Sequence, residues 1–367
     1  MKVLLTGGGT GGHIYPALAL VHTIQKQNPD AQFLYVGTEN GLESTIVPKQ
    51  NIPFQTIEIS GFKRKLSFEN VKTVQRFLRG TKKAKSIIKQ FQPDVAIGTG
   101  GYVAGPVMYA ASKAGVPTII HEQNSIPGLT NKFLSRYADR VAISFHEAKQ
   151  YFKEEKVVFT GNPRATEALE APELDIHNEF GMDRRLPIVL VVGGSRGARP
   201  IHEAFLDALP KMTDKTCQFL YVTGDVHYDK VKETLNETKN AQHVVIRPFL
   251  HNMPSVLKRV DAIISRAGAT TLAEITAMGI PSILIPSPYV TNNHQEHNAR
   301  SLERVGAAIV RKESEWTAEQ MEADLAYLFQ DQNQLQMSDN AKKAAVPDAG
   351  ERMYALVQEL MNSGSST

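Results

Sequence analysis

Short apolar runs alternate along the chain with glycine-rich or polar turns and with segments whose apolar residues recur at helical spacing. A short apolar run closed by such a turn is typical of a strand that is buried on both faces. Strand, turn and helix repeat in both halves of the chain, which predicts an α/β fold with parallel sheets. The predicted strands lie at residues 3–6, 33–36, 93–98, 118–120, 140–144, 156–160, 187–192, 219–223, 244–246, 262–264 and 281–285.

Several of the predicted strands run into glycine-rich turns before a helix begins. Such a turn places free backbone amides and the positive end of a helix against an approaching anion. The spacing of Gly7, Gly9 and Gly12 also matches the fingerprint of dinucleotide-binding proteins, with Glu39 as the acid that would bind the ribose. On this motif alone, a nicotinamide-dependent dehydrogenase remains an alternative.

Residues 261–300 combine a strand, a turn, a helix start and a second strand. The turn lies at residues 266–268, and Thr271 with Glu274 has the spacing of a capping box, so we expect a helix to start there. A polar loop is expected at residues 292–298. Because open α/β folds bind ligands at the carboxyl ends of their strands, this segment predicts a nucleotide-sugar site.

The length of 367 residues, with 42% apolar residues, is sufficient for two domains. The strand and helix pattern breaks at residues 161–164. We therefore expect a first Rossmann-like domain at residues 1–163, completed by a C-terminal helix at about 347–362, and a second Rossmann-like domain at 164–346. In the simplest arrangement, the two parallel sheets face one another across a cleft.

Net charge and cysteine content narrow the function classes. A net charge of +3 and a pI of about 8.7 do not indicate a nucleic-acid partner. The single cysteine, Cys217, excludes an internal disulfide and a cysteine-based metal site, and its apolar neighbours predict a buried residue. The absence of an Asp-x-Asp pair, which could hold a metal on a diphosphate, predicts no obligatory bound metal. Since no run of about 18 apolar residues occurs, we expect a soluble, cytoplasmic protein.

Residues 61–90 carry ten Lys or Arg side chains and one acid, Glu69. One interpretation is an amphipathic helix with a solvated basic side, whose other side, including Val74, Ala84 and Ile88, packs against the protein. The other is contact with an anionic membrane surface, because apolar residues adjoin the basic cluster. The residues predicted for that contact are Phe62, Lys63, Arg64, Lys65, Leu66, Phe68, Arg76 and Arg79.

Six motifs, in order along the chain, resemble the MurG family of glycosyltransferases. They are GGGTGGH at 7–13, GGYVAGP at 100–106, HEQN at 121–124, GNPR at 161–164, GGSRGA at 193–198 and SRAGATTLAE at 265–274. The resemblance implies the GT-B fold, with two Rossmann-like domains facing across a cleft. It implies transfer of N-acetylglucosamine, with inversion, from UDP-N-acetylglucosamine to an isoprenoid-linked acceptor, undecaprenyl-pyrophosphoryl-N-acetylmuramyl pentapeptide. It also implies peripheral attachment at the cytoplasmic face of the bacterial membrane.

Two alternatives stand beside this function. A sugar-nucleotide epimerase has the same two-domain plan and would convert the donor with no acceptor present. A protein that only senses a UDP-sugar would bind the donor without chemistry.

In the family, the second domain holds the donor. The resemblance therefore assigns Ser195, Ala269 and Thr270 to the diphosphate, Glu274 to the ribose, Leu250 to the base through its main chain, and Gln295 to the sugar hydroxyls. From the first domain it assigns donor contacts to Thr10, Gly11, Gly12 and Asn124, and an approach to the diphosphate to Arg164. Amides at a helix start suit a phosphate, and a carboxylate can accept from two neighbouring hydroxyls.

The transfer needs a base that takes a proton from the acceptor hydroxyl. His13 is the favoured candidate, because it follows a glycine turn and histidine titrates near neutral pH. The alternative is that His13 shapes the turn or binds substrate. Glu122 is a second candidate base. Amides at the helix starts, together with Arg164, would stabilise the departing diphosphate, and no cofactor is expected.

Overall fold

The computed structural model describes residues 1–61, 68–194, 197–212, 216–238 and 241–364. The chain forms two compact units. The first unit comprises Met1–Glu167 together with the chain from Val346 onwards, and the second comprises Ala168–Ala345. Each unit is built around a parallel sheet of its own.

The sheet of the first unit has seven strands. They are β1 (Lys2–Thr6), β2 (Gln32–Gly37), β3 (Phe54–Thr56), β4 (Val95–Gly98), β5 (Thr118–Glu122), β6 (Arg140–Ile143) and β7 (Val157–Phe159). Their order is β3-β2-β1-β4-β5-β6-β7. The winding therefore reverses between β1 and β4, which pair in parallel. Ligands of open α/β sheets bind at such a reversal.

Helices cover both faces of this sheet. The helices up to the boundary between the units are α1 (Gly11–Gln27), α2 (Glu43–Ile46), α3 (Phe68–Phe91), α4 (Ala104–Lys113), α5 (Leu129–Leu134) and α6 (Arg164–Glu170). α6 crosses this boundary, since the second unit begins at Ala168. Because neighbouring side chains of a strand point to opposite faces, β1 places Val3 and Leu5 in one core layer and Leu4 in the other. Residues of α1 join the first layer, and residues of α3 and α4 join the second.

The sheet of the second unit has six strands and repeats this order. They are β8 (Ile188–Val192), β9 (Gln218–Val222), β10 (Val244–Arg247), β11 (Ala262–Ser265), β12 (Ser282–Leu284) and β13 (Ala308–Val310). The order β10-β9-β8-β11-β12-β13 puts the reversal between β8 and β11. The predicted α/β fold class, with two Rossmann-like parallel sheets, is confirmed.

The remaining helices follow in chain order. They are α7 (Ile176–Phe180), α8 (Arg199–Ala208), α9 (Tyr228–Asn236), α10 (Met253–Leu257), α11 (Ala269–Met278), α12 (His294–Arg304), α13 (Ala318–Leu328), α14 (Asp331–Ala344) and α15 (Ala349–Gly364). α15 belongs to the first unit, where Met353 and Val357 share a core layer with α1. Cys217 is buried in the core of the second unit, and burial raises the pKa of its thiol to about 11.

Two local predictions in residues 261–300 are wrong. The helix expected near Thr271 begins at Ala269 with Gly268 as its N-cap, so Thr271 and Glu274 do not form a capping box. The polar segment 292–298 is mostly helical, because α12 begins at His294 after a short 3₁₀ turn. At the start of α11, a glycine therefore replaces the expected side-chain cap. At residues 292–298, the early start of α12 replaces the expected loop.

Candidate active site

Two glycine-rich turns meet where the winding of the first sheet reverses. One, at residues 7–10, joins β1 to α1, and the other, at residues 99–103, joins β4 to α4. The amide of Gly8 donates to the carbonyl of Gly100 at 3.3 Å. A Cβ atom on Gly101, whose φ is +79°, would lie 2.3 Å from the carbonyl oxygen of Gly8. Glycine at position 101 therefore allows the two turns to touch.

His13 is the third residue of α1 and lies beside these turns. Its Nδ1 is 2.9 Å from the carbonyl oxygen of Gly8. Since a carbonyl oxygen can only accept, Nδ1 carries the hydrogen, and the lone pair of the neutral ring lies on Nε2. Thr99 Oγ1 donates to the backbone carbonyl of His13 at 2.6 Å. The structure therefore holds the imidazole in the tautomer whose Nε2 can accept a proton.

Thr10, Gly11 and Gly12 form the start of α1. Thr10 is the N-cap; its side chain does not cap the helix, and its carbonyl accepts from the amide of His13 at 3.1 Å. The amides of Gly11 and Gly12 occupy the first two helical positions, which have no acceptor within a helix. This helix start is suited to contact with a negatively charged or hydroxyl-bearing ligand.

Glu122, the second candidate base, ends β5 and is 2% exposed. Its Oε1 accepts from the amide of Asn124 at 3.0 Å. Its Oε2 accepts from Asn131 Nδ2 at 2.8 Å and from the amide of Gly128 at 3.2 Å. Burial raises the pKa of Glu122, because the charged form loses its hydration. The carboxyl group thus joins the turn after β5 to α5 and holds Asn124 in place.

Arg164 begins α6 and forms an ion pair with Glu167. Its guanidinium also lies over the ring of Tyr15, at 5.4 Å from the centroid. Glu167 accepts in addition from Nδ1 of His22 at 2.8 Å, and this hydrogen bond raises the pKa of His22. Within the first unit, Arg164 is therefore paired with a carboxylate that it shares with a histidine.

In the second unit, α11 starts close behind β11 at the sheet reversal. The amides of Ala269 and Thr270 are the first two of this helix, and neither donates to another of the described residues. Thr270 Oγ1 is buried and likewise has no hydrogen-bond partner in the part of the chain that the structure describes. The positive end of α11 therefore offers hydrogen-bonding groups that suit a diphosphate.

Three further residues that the sequence predicts to bind the sugar nucleotide lie near the carboxyl ends of strands in the second sheet. Glu274 is in the second turn of α11 and is 5% exposed. Leu250 follows β10 with a buried side chain, and neither its amide nor its carbonyl bonds to another described residue. Gln295 is in the first turn of α12, and its Oε1 accepts from the amide of Ser287 at 2.9 Å, which orients its side-chain amide.

Ser195 lies outside the described residues, as does Arg196. The chain is described again from Gly197, whose φ is +72°. The amide of Ala198 donates to Nε2 of His202 at 3.1 Å. Burial lowers the pKa of His202 to about 4, so the ring is neutral at physiological pH and can accept this bond.

Two family models match the chain. The glycosyltransferase family 28 N-terminal domain matches residues 3–143, and the glycosyltransferase family 28 C-terminal domain matches residues 188–353. The chain belongs to glycosyltransferase family 28. Both sheet reversals lie within the matched family 28 domains.

A relative from Bacillus cereus is 58% identical over 362 residues, which cover 98% of this chain and 100% of the relative. It is named UDP-N-acetylglucosamine--N-acetylmuramyl-(pentapeptide) pyrophosphoryl-undecaprenol N-acetylglucosamine transferase 1. The crystal structure of Acinetobacter baumannii MurG is 30% identical with a TM-score of 0.77, over 98% of this chain and 99% of that chain. The resemblance to the MurG family is confirmed.

A putative UDP-N-acetylglucosamine 2-epimerase from Listeria monocytogenes has a TM-score of 0.72 to this family 28 chain, over 99% of this chain and 97% of that chain. Its sequence identity is 14%. A likeness at this identity shows a shared fold and does not extend to the reaction.

The predicted membrane contact is described in part. Outside the described residues lie Phe62, Lys63, Arg64, Lys65 and Leu66. Phe68 is the first residue of α3, and of this residue the backbone alone is described. Arg76 donates to Glu58 at 3.2 Å and to Ser60 Oγ at 2.9 Å, whereas Arg79 is exposed.

The packing side of α3 differs in part from the prediction. Ala84 and Ile88 are buried as predicted, but Val74 is 47% exposed. Leu78 of α3 and Leu129 of α5 are also exposed, at 63% and 72%. The amino-terminal half of α3 therefore exposes apolar side chains among its basic residues. Among the described residues, no helix combines the length and the apolar character needed to span a membrane.

The structure adds one residue of the site that the sequence did not reveal. Glu39, the acid considered for a dinucleotide site, is exposed. Glu43 is instead the buried carboxylate of this region, and it accepts from the amide of Gly9 at 3.0 Å. The signal in the sequence that could have pointed to Glu43 was the nearby pair of glycines, Gly37 and Gly41. A Cβ on Gly37 would lie 2.6 Å from the side chain of Glu43, and a Cβ on Gly41 would lie 2.3 Å from it.

Proposed function

We propose that this chain transfers N-acetylglucosamine from UDP-N-acetylglucosamine to undecaprenyl-pyrophosphoryl-N-acetylmuramyl pentapeptide during synthesis of the bacterial cell wall. The observation that carries the proposal is 58% identity over 98% of the chain to a relative named for this transfer. Membership of glycosyltransferase family 28 supports the same reaction class.

The second unit holds the donor nucleotide. At its diphosphate, the amides of Ala269 and Thr270 donate at the positive end of α11, and Ser195 adds a hydroxyl. Glu274 accepts from the ribose hydroxyls, and the main chain of Leu250 bonds the uracil. A hydrogen bond to a charged group contributes about 1.5–3 kcal/mol, so the ribose contact alone would affect donor affinity strongly. Further donor contacts are assigned to Gln295, Thr10, Gly11, Gly12 and Asn124.

His13 is the base. The acceptor hydroxyl of the muramyl sugar attacks the anomeric carbon, and a bond forms between that oxygen and carbon 1. The bond from carbon 1 to the phosphate oxygen breaks, UDP leaves with the bonding electrons, and Nε2 of His13 takes the hydroxyl proton. Attack opposite the leaving group inverts the configuration from α to β. A base placed in this way contributes about 10² to 10⁴ in rate.

Glu122 and Arg164 have supporting roles in this proposal. The four hydrogen bonds to Glu122 favour a role in shaping the turn that carries Asn124, rather than removal of a proton. Arg164 approaches the leaving diphosphate by exchanging its ion pair with Glu167 for phosphate oxygens, which a planar guanidinium can bind in pairs.

The lipid-linked acceptor stays in the bilayer, so we assign peripheral attachment at the cytoplasmic face to residues 62–79. Exposed Leu78 and Arg79 support this assignment. Replacing Lys63, Arg64, Lys65, Arg76 and Arg79 with glutamate should abolish binding to anionic vesicles. The matched control replaces five exposed basic residues of the second unit, Arg184, Arg185, Lys230, Lys232 and Lys343, and should bind vesicles normally. Equal binding by both variants would contradict the assignment.

Radiolabelled UDP-N-acetylglucosamine, incubated with the protein and a lipid-linked muramyl peptide, tests the proposed function. We expect label in the lipid fraction only when protein and acceptor are both present. Conversion of the labelled donor without acceptor would indicate an epimerase. Donor binding without either product would indicate a sensor, and both outcomes would refute the proposal.

A further inference from the structure

We propose that Glu43 is a positioning residue for His13 and that it acts through the peptide group joining Gly8 to Gly9. This inference rests on the proposed role of His13 as the base. It adds to the site a buried carboxylate that has no direct contact with the imidazole.

One peptide group links the two side chains. Its N–H, on Gly9, donates to Oε2 of Glu43 at 3.0 Å. Its C=O, on Gly8, accepts from Nδ1 of His13 at 2.9 Å. Carboxylate, peptide and imidazole are therefore joined in series by two hydrogen bonds.

The surroundings of Glu43 show that this carboxylate has a built site. Glu43 is fully buried, and its Oε1 accepts from the amide and the hydroxyl of Thr38, at 3.0 and 2.6 Å. A Cβ on Gly8, Gly37 or Gly41 would lie 2.5, 2.6 or 2.3 Å from the side chain. Glycines on three sides thus make room for a carboxylate whose two oxygens are both occupied by donors. A buried carboxylate would cost much stability without such partners.

Two consequences for His13 follow from this series. First, the hydrogen bond from Gly9 to Glu43 fixes the plane of the peptide group. It therefore fixes the position of the Gly8 carbonyl oxygen, which is the acceptor that selects the Nδ1–H tautomer of His13. Second, hydrogen bonds in a chain polarise one another, so the carboxylate makes the carbonyl oxygen of Gly8 a stronger acceptor. A stronger acceptor stabilises the imidazolium that forms when Nε2 takes the proton. In a serine protease triad, an aspartate has this role by direct contact.

The other contacts of the turn carry no charge to the ring nitrogens. The uncharged hydroxyl of Thr10 lies 3.3 Å from Nδ1 of His13, and further contacts position the backbone. Tyr35 donates its hydroxyl to the carbonyl of Gly7 at 2.7 Å, and Thr99 Oγ1 donates to the carbonyl of His13. The titratable groups on the neighbouring elements are Tyr35 on β2, Tyr102 after β4, and His121 and Glu122 on β5. Of these titratable groups and Glu43, Glu43 is the one that is joined to Nδ1 of His13 through the peptide group between Gly8 and Gly9.

The test measures transfer of label from UDP-N-acetylglucosamine to a lipid-linked muramyl peptide by the full-length chain. Glu43→Gln should lower kcat by about 10- to 100-fold, by analogy with the outer partners that orient metal-binding histidines. KM for the donor should be unchanged. The acid limb of the pH–rate profile should move to lower pH, because the imidazolium of His13 loses its stabilisation. An unmoved limb would overturn the inference.

Thr38→Val is the matched control. It removes the hydrogen bond from the Thr38 hydroxyl to Oε1 and leaves the bond from Gly9 to Oε2 in place. We expect loss of thermal stability with wild-type kcat and a wild-type pH profile. A loss of kcat equal to that of Glu43→Gln would show a general structural role of the carboxylate and overturn the inference.

A double variant separates this inference from the proposed function. In a His13→Ala background, Glu43→Gln should change the residual rate little, since its effect passes through His13. A full additional loss in that background would overturn the inference. Unimpaired transfer by His13→Ala would refute the base assignment, and absence of transfer by the wild-type chain would refute the proposed function.

Glu43→Asp covers the case in which Glu43→Gln does not fold. It keeps the charge on a shorter side chain and lengthens the contact with Gly9. The acid limb should then move in the same direction by a smaller amount, and an unmoved limb with lowered kcat would overturn the inference.

Discussion

The two units build the same element at their sheet reversals, a strand that passes through a turn into a helix, but they use the turn differently. In the first unit, the turn between β1 and α1 is held by its own protein: Gly7 accepts from Tyr35, Gly8 from His13, and Gly9 donates to Glu43. In the second, the first amides of α11 and the hydroxyl of Thr270 have no partner among the described residues.

This difference separates two chemical tasks. A base needs a fixed position and a fixed tautomer, and the hydrogen bonds that Gly7, Gly8 and Gly9 make within the protein provide both. An anion site needs donors that are available until the ligand arrives. Changes at His13 and at residues 7–9 should therefore lower the transfer rate, and changes at the start of α11 should weaken donor binding.

His13→Ala should have the largest effect and should separate the two turns most clearly. Without the proposed base, kcat should fall by about 10² to 10⁴. Donor affinity, measured by calorimetry with UDP, should be unchanged, because His13 is not among the proposed contacts of the nucleotide. As a control, the exposed His251→Ala should leave both quantities unchanged. A wild-type rate for His13→Ala would show that the first turn does not carry the base.

Thr270→Val should have a smaller effect, and this effect should be on donor binding rather than on the transfer rate. Loss of one hydroxyl that is proposed to bind phosphate should raise the Kd for UDP by roughly three- to tenfold. The unliganded protein should melt at the same or a higher temperature, because a buried hydroxyl without a partner costs stability. Thr276→Val is the control, since Thr276 Oγ1 already donates to the carbonyl of Leu272 at 2.8 Å. Lower stability of unliganded Thr270→Val would show that the hydroxyl is satisfied within the protein.

The smallest effect concerns pH, and it should appear in both units. Burial lowers the pKa of His121 in the first unit and of His202 in the second to about 4, below the ordinary value of 6.5. Between these values the unfolded chain binds more protons than the folded one, so stability falls as pH decreases through this range. Thermal melting across it should show a steady decline, which His202→Asn should reduce. A flat profile would mean that the two rings are not neutral in the folded protein.

The sequence was sufficient for the centres of both sheets, because their buried strands are apolar runs closed by glycine. The edge strands β3 and β13 were not predicted, since each has three residues and their pairing depends on a neighbouring strand. The cap of α11 was misassigned because Thr271 and Glu274 have the spacing of a capping box, although Gly268 is the N-cap.

The candidate site was predictable where a motif carries it and not where packing creates it. His13 and Thr270 lie in glycine-rich motifs that show where a turn enters a helix. Glu43 has no motif of its own, because its role depends on a turn 34 residues earlier in the chain. Glu39 had the expected spacing for a ribose acid, but it is exposed, since spacing alone does not determine burial.

The most direct test of the proposed division of tasks, with the base in the first unit and nucleotide binding in the second, is the rate of a single turnover at saturating donor. This rate is measured side by side for His13→Ala and Glu274→Gln. At saturation the weaker binding of Glu274→Gln is overcome, and its rate should approach that of the wild-type chain. His13→Ala should stay slow at every donor concentration. A slow turnover for Glu274→Gln, or a recovery of His13→Ala with added donor, would contradict the account.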